Sequence, residues 1–104
     1  MKSVKFGEAI EALNNFKIVR RSSWREGEFV FKQVPTEIPR SIVPKMTSLP
    51  DSVKEEFERR FNDPAEQVNS ITYAYQLAHV NSSNLIIGYS PSVIDTLAED
   101  WVIL

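Results

Sequence analysis

Helical and alternating hydrophobic patterns interleave along this chain and predict an α+β fold, with a mainly antiparallel sheet, an N-terminal helix, a middle helix and a short C-terminal helix. Three observations carry that prediction. Phe6, Ala9, Ile10 and Leu13 recur at helical spacing, Ile71 to His79 alternates with period two, and short apolar runs come in pairs joined by turn-forming residues.

The first helix places Phe6, Ala9, Ile10 and Leu13 on one stripe with Glu8 and Glu11 outside it. Asn14 and Asn15 end it, because Asn tolerates the left-handed turn that closes helices. Phe16–Arg20 reads as a strand and Glu28–Val34 as its antiparallel partner, with Gly27 in the connection. Pro35, Pro39, Pro44 and Pro50 then interrupt any continuous helix or central strand, so 35–50 is predicted as an extended, ordered loop. Pro50 opens a helix with Asp51 in its first turn; Val53, Phe57 and Phe61 mark its buried side and Asp63-Pro64 closes it.

Ile71, Tyr73, Tyr75, Leu77 and His79 share one face of a single predicted strand, and Leu85–Tyr89 returns after the Asn81–Asn84 turn. Ser90 is the expected N-cap of a brief last helix, with Pro91 at its first position. Trp101–Leu104 is a terminal apolar strand. The whole, residues 1–104, is read as one signal-binding domain, with the proline-rich loop and helix at 35–62 as an insertion.

The chain has 104 residues, too few for two independent large cores. Twelve Lys and Arg against 14 Asp and Glu give a net charge of −2, without the positive field that binds DNA or RNA. There is no cysteine, which excludes disulfides and thiolate metal sites, and the single histidine, His79, excludes any site needing two imidazoles. Met1–Lys5 is not followed by a signal-peptide core and no apolar run approaches a membrane span, so a cytoplasmic protein without membrane partners is expected.

The catalytic inventory is thin, and no enzyme is predicted. No Gly-x-Ser-x-Gly elbow presents a serine, and Gly7, Gly27 and Gly88 are too scattered for a phosphate loop. His79 on an alternating strand fits a packed structural residue better than a lone base. Asp95, Glu99 and Asp100 fit a solvated helix end better than a metal site; no metal or cofactor is expected. Ligand binding has more to draw on. Arg20-Arg21-Ser22-Ser23-Trp24-Arg25 joins guanidinium groups, hydroxyls and an indole. It fits a phosphate and purine site, and equally two edge charges beside a tryptophan that caps the core. Free N–H groups at Ser90-Pro91-Ser92 suit an anion or simply a capped helix. Tyr73, Tyr75 and Tyr89 fit packing in the core or at a subunit contact.

Read together, the two ends of the chain resemble a known family. Phe6-Gly7-Glu8-Ala9-Ile10-Glu11-Ala12-Leu13, Arg20-Arg21-x-x-Trp24 and Tyr89-Ser90-Pro91-Ser92-Val93-Ile94-Asp95-Thr96-Leu97-Ala98-Glu99-Asp100-Trp101 are similar, in order and spacing, to the Thoeris anti-defence protein 2 family of phage proteins. The match covers about half the chain; Tyr89 stands where the family often has Trp, and Ser92 where it often has Asn.

The resemblance implies a homotetramer, acting in the cytoplasm of an infected bacterial cell, that sequesters immune nucleotide signals without cleaving them. It implies glycocyclic ADP-ribose of Thoeris as one ligand and the cyclic dinucleotides of CBASS as another. Carried over by motif, Trp24 would stack on adenine, with Phe6 and Arg20 near the ribose or phosphates. Tyr89, Ser92, Asp95 and Asp100 would complete that pocket through its hydroxyls or base. For the second pocket the expected residues are Arg40, Lys45, Met46, Thr47, Ser48, Tyr75 and Gln76. The alternative from a different class is a protein–protein interaction module that inhibits a host factor through Trp24, the tyrosines and the C-terminal strand.

Overall fold

The computed structural model describes residues 2–104. They divide into two compact units, one comprising the chain up to Val34 and again from Tyr75 to Leu104, the other Pro35–Ala74. The second unit contains the 35–62 segment and continues through a further strand.

The first unit is one helix over an antiparallel sheet. Helix α1 (Phe6–Asn14) buries Ala9, Ala12 and Leu13. Against these pack Val4, Val19, Val30 and Trp101, with Phe6, Ile10, Trp24, Leu77 and Tyr89 at the margins. The left-handed residue after α1 is not an asparagine: Asn15 lies at φ −96° and Phe16 takes φ 61°. The chain therefore turns one or two residues later than its Asn pair suggests, and strand β1 starts only at Val19 (Val19–Arg21). It pairs with β2 (Phe29–Gln33) across a connection in which Gly27 takes φ +91°. A side chain is strained in that region, which accounts for glycine there.

Prolines shape the second unit without leaving it an irregular loop. Strand β3 (Thr36–Pro39) and a 3-10 turn at Val43–Lys45 both form inside the segment predicted as extended loop. β3 pairs only with β4 (Ser70–Tyr73), so both are edge strands and Pro39 forfeits little by lacking an N–H. Helix α2 (Asp51–Phe61) begins as predicted, with Pro50 at its N-cap and Asp51 in its first turn.

The alternating run Ile71–His79 is not one strand. It breaks at Ala74-Tyr75, so β4 belongs to the second unit and β5 (Gln76–Val80) to the first. The break lies opposite Val34-Pro35. The β2–β5 ladder stops at Gln33↔Gln76, and pairing resumes at Thr36↔Tyr73 in a separate sheet. Pro35 has no N–H to carry the ladder through.

After β5 the chain returns as β6 (Ile86–Gly88), forms helix α3 (Val93–Leu97) and ends in β7 (Trp101–Ile103). The sheet order is β6-β5-β2-β1-β7, antiparallel throughout. The N-cap of α3 is Ser92 rather than Ser90. The Ser92 hydroxyl accepts from the Asp95 N–H at 3.0 Å and the Asp95 carboxylate accepts from the Ser92 N–H at 3.3 Å. That reciprocal capping box outcompetes proline placement as the start signal.

Candidate functional site

In the first unit, the β1–β7 register sets Arg21 opposite Trp101, and Trp24 follows on the turn out of β1. Three rings meet Trp24 nearly edge-on: His79 at 5.2 Å, Trp101 at 5.4 Å and Tyr89 at 6.0 Å between centroids. Phe6, the first residue of α1, extends the cluster to the far side of Trp101 at 5.6 Å. Edge-to-face contacts of this kind fix ring orientation beyond what area burial alone achieves. Trp101 is 1% exposed and its indole N–H donates to the Asp95 carbonyl at 2.9 Å. Trp24 is only half-buried. The one is a foundation, the other a platform.

Beside the rings lies a charged group held by Arg21. Its guanidinium donates to Asp100 Oδ1 at 2.8 Å and to Asp95 Oδ1 at 3.1 Å, and its side chain is 17% exposed. Asp95 also accepts from the Tyr89 hydroxyl at 2.8 Å, and Asp100 from the Ser22 hydroxyl at 3.1 Å. Burial alone would raise the Asp95 carboxyl, but hydrogen bonds from Tyr89, Ser92 and Arg21 more than offset it and hold it below the usual carboxylate range. Asp100 is lowered chiefly by its hydrogen bond from Arg21. Burial, then the hydrogen bond to Asp95, pushes the Tyr89 phenol far above its ordinary value.

All seven residues expected around one ligand fall within this group, because α1, the β1–β2 turn, α3 and the start of β7 meet there. Phe6, Trp24 and Tyr89 supply rings. Arg20 donates to the Trp24 carbonyl and so pins the turn that carries the indole. Ser92 caps α3, while Asp95 and Asp100 hold Arg21. Asp95 and Asp100 are thus not a solvated helix end; only Glu99 is, 3.8 Å from Lys5 with both side chains open to solvent. Among these, Asp95 and Ser92 are engaged with their neighbours and serve to position Tyr89 and Arg21.

The residues expected around a second ligand lie in both units. In the Pro35–Ala74 unit, Arg40 sits over the Phe61 ring at 5.5 Å and donates to the Phe61 carbonyl at 3.2 Å, to Glu58 at 3.1 Å and to Asn62. Lys45 ends the 3-10 turn, Met46 is half-buried, and Thr47 and Ser48 are exposed beyond it. In the first unit, Tyr75 and Gln76 line a groove of about 270 Å³ with Ile10, Leu13, Asn14, Lys32 and Leu77. The Lys32 ammonium lies 4.4 Å from the Tyr75 ring centre.

Three members of the first site escaped the sequence pattern. Arg21 was one of two adjacent arginines, and only the register opposite Trp101 sets it against Asp100. His79 reads as structural from its strand, and it does pack against Trp24; its Nε2 is also 3.4 Å from Glu28. Trp101 closes the terminal motif, but its central place under Trp24 depends on β7 lying beside β1. No ionisable group is buried without a partner among the described residues.

An antiparallel α+β unit carrying an aromatic platform beside a shared Arg–Asp–Asp group has the makings of a small-molecule binding domain. Its family is specific. The Tad2-like family, the Thoeris anti-defense 2-like domain, matches residues 4–104, and the chain belongs to it. Membership gives it a Thoeris anti-defence role. A comparison with curated proteins finds no match.

Proposed function

We propose that this chain is a sponge, a protein that binds immune signalling nucleotides and withholds them without breaking them. Glycocyclic ADP-ribose is the ligand of the Trp24 site, and CBASS cyclic dinucleotides are the ligands of the second set of residues. The observation that carries the reading is the convergence of Phe6, Arg20, Trp24, Tyr89, Ser92, Asp95 and Asp100 on one half-buried indole. Trp24 offers a stacking platform for adenine, and the edge-on rings behind it keep that platform rigid. Arg20 and Arg21 lend positive charge for phosphates or ribose hydroxyls.

To deplete a signal, a sponge must bind at nanomolar concentration, about −12 kcal/mol. A prebuilt site lowers the ordering cost of reaching that affinity. A homotetramer in the host cytoplasm fits the same reading. Val93, Ile94 and Leu97 on α3 are 75%, 72% and 74% exposed beside Asp95, an apolar face that a second copy would cover while walling the Trp24 site. The same face favours a second reading, in which it docks on a host protein and no nucleotide is bound.

Incubation with glycocyclic ADP-ribose followed by heat denaturation tests the proposal. Sequestration returns the ligand intact. A cleaved product would instead make the chain an enzyme, and recovery of all the ligand in the unbound fraction before heating would favour the host-protein reading.

A further inference from the structure

The five-stranded sheet is finished differently at its two edges. Along β7 the outer side is taken: the Val4 N–H donates to the Trp101 carbonyl at 2.7 Å, and the Trp101 N–H donates to the Val4 carbonyl at 3.1 Å. Along β6 the only strand partner among the described residues is β5. Leu85, Ile86 and Ile87 are 58%, 59% and 53% exposed, so both faces of this edge present aliphatic side chains.

An open edge is a template for another strand, and proteins that must stay apart blunt such edges with lysine, proline or a bulge. None of these lies on β6. No Asp, Glu, Lys or Arg occurs from Gln67 to Ile94, although such residues make up 25% of the chain. A charged partner would find nothing there to pair with. A two-fold contact sets like residues against like, and a stretch without charge is one that can face itself without repulsion.

We propose that β6 is a contact between two copies of this chain, the two β6 strands pairing antiparallel about a two-fold axis to join their sheets. The edge backbone provides the hydrogen bonds, and Leu85, Ile86 and Ile87 cover one another. Three side chains offer far less than the roughly 800 Å² per partner of a standard interface. The β6 pairing is therefore one contact of a multimer that has another elsewhere. This inference does not depend on what the Trp24 site binds.

The absence of cysteine permits a direct test. Native mass spectrometry of the full chain is compared with that of Ile86→Lys/Ile87→Lys, and circular dichroism confirms that the variant folds. The mass of the assembly falls by half. Separately, Ile87→Cys forms a covalent dimer under mild oxidation at least tenfold faster than Lys17→Cys, a surface control away from the edge. A wild-type chain that runs as a single copy, an unchanged assembly in the folded lysine variant, or equal cross-linking at the two cysteine positions would each overturn the proposal.

Discussion

Two arginine–carboxylate networks in this chain look alike on paper and differ in kind. On α2, Glu56 accepts from Arg59 at 2.6 Å and from Arg60 at 2.8 Å, partners three and four residues along one helix. In the Trp24 site, Arg21 joins Asp95 and Asp100, 74 and 79 residues away. The helix pairs are open to water, and they push the Glu56 carboxyl down to about 2 through hydrogen bonds from Arg59 and then Arg60. Exposed pairs of this sort are screened and flexible, so a large shift there says little about stability. The Arg21 group is part-buried and ties β1 to α3 and to the start of β7. Contact across the fold, rather than the size of a pKa shift, is what makes an ion pair structural.

The comparison can be broken most forcefully at its foundation. Trp101→Ala removes the buried indole beneath Trp24 and should cost about 3–5 kcal/mol of unfolding free energy, read by urea denaturation. Arg21→Leu leaves Asp95 and Asp100 facing each other without a cation, and should cost about 1–3 kcal/mol in the same assay. Trp24→Ala should weaken glycocyclic ADP-ribose binding by about 1–3 kcal/mol if the indole is a stacking platform. Its melting temperature, measured alongside, separates a lost contact from a loosened turn.

Acid sharpens the contrast further. The folded pKa values of Asp95 and Asp100 lie below their unfolded ones. Their contribution to stability is therefore present above about pH 4 and is lost as pH falls through the folded values. Denaturation midpoints at pH 5 and pH 3 should differ more for the wild type than for Asp95→Asn. Tyr89 has the opposite sign: its raised folded pKa makes a contribution that is present below about pH 10 and lost as pH climbs toward the folded value. Glu56→Gln is the smallest effect, with no measurable change in melting temperature at moderate salt.

Much of the fold was legible because its periodicities are local. The stripe Phe6-Ala9-Ile10-Leu13 and the Pro50-Asp51 helix start each contain their own evidence, and both helices stand where they were read. The 71–79 alternation was misread as one strand because period two says nothing about which sheet a strand joins. That is decided across the ladder by Pro35, 40 residues away from Tyr75. Ser90-Pro91 gave a helix start two residues early because a capping box at Ser92 and Asp95 is worth two hydrogen bonds and a proline none.

The site shows the same division. Trp24, Asp95 and Asp100 stand in motifs that can be read along the chain. Arg21 gains its meaning from strand register, and Trp101 from being laid beside β1, which no spacing along the sequence encodes. The roles also shift in three dimensions. Asp95 was read as a ligand contact, and its carboxylate is occupied by Tyr89, Arg21 and the Ser92 N–H, so it acts by orienting others.

The central claim is that the Trp24 site holds a cyclic nucleotide and leaves it unchanged. Titration calorimetry of the full chain with glycocyclic ADP-ribose tests it most directly. The account predicts heat that saturates at a fixed ratio of ligand to protein, with nanomolar affinity and a flat baseline after each injection. Absence of heat, or a steady signal that continues while ligand remains, would contradict it.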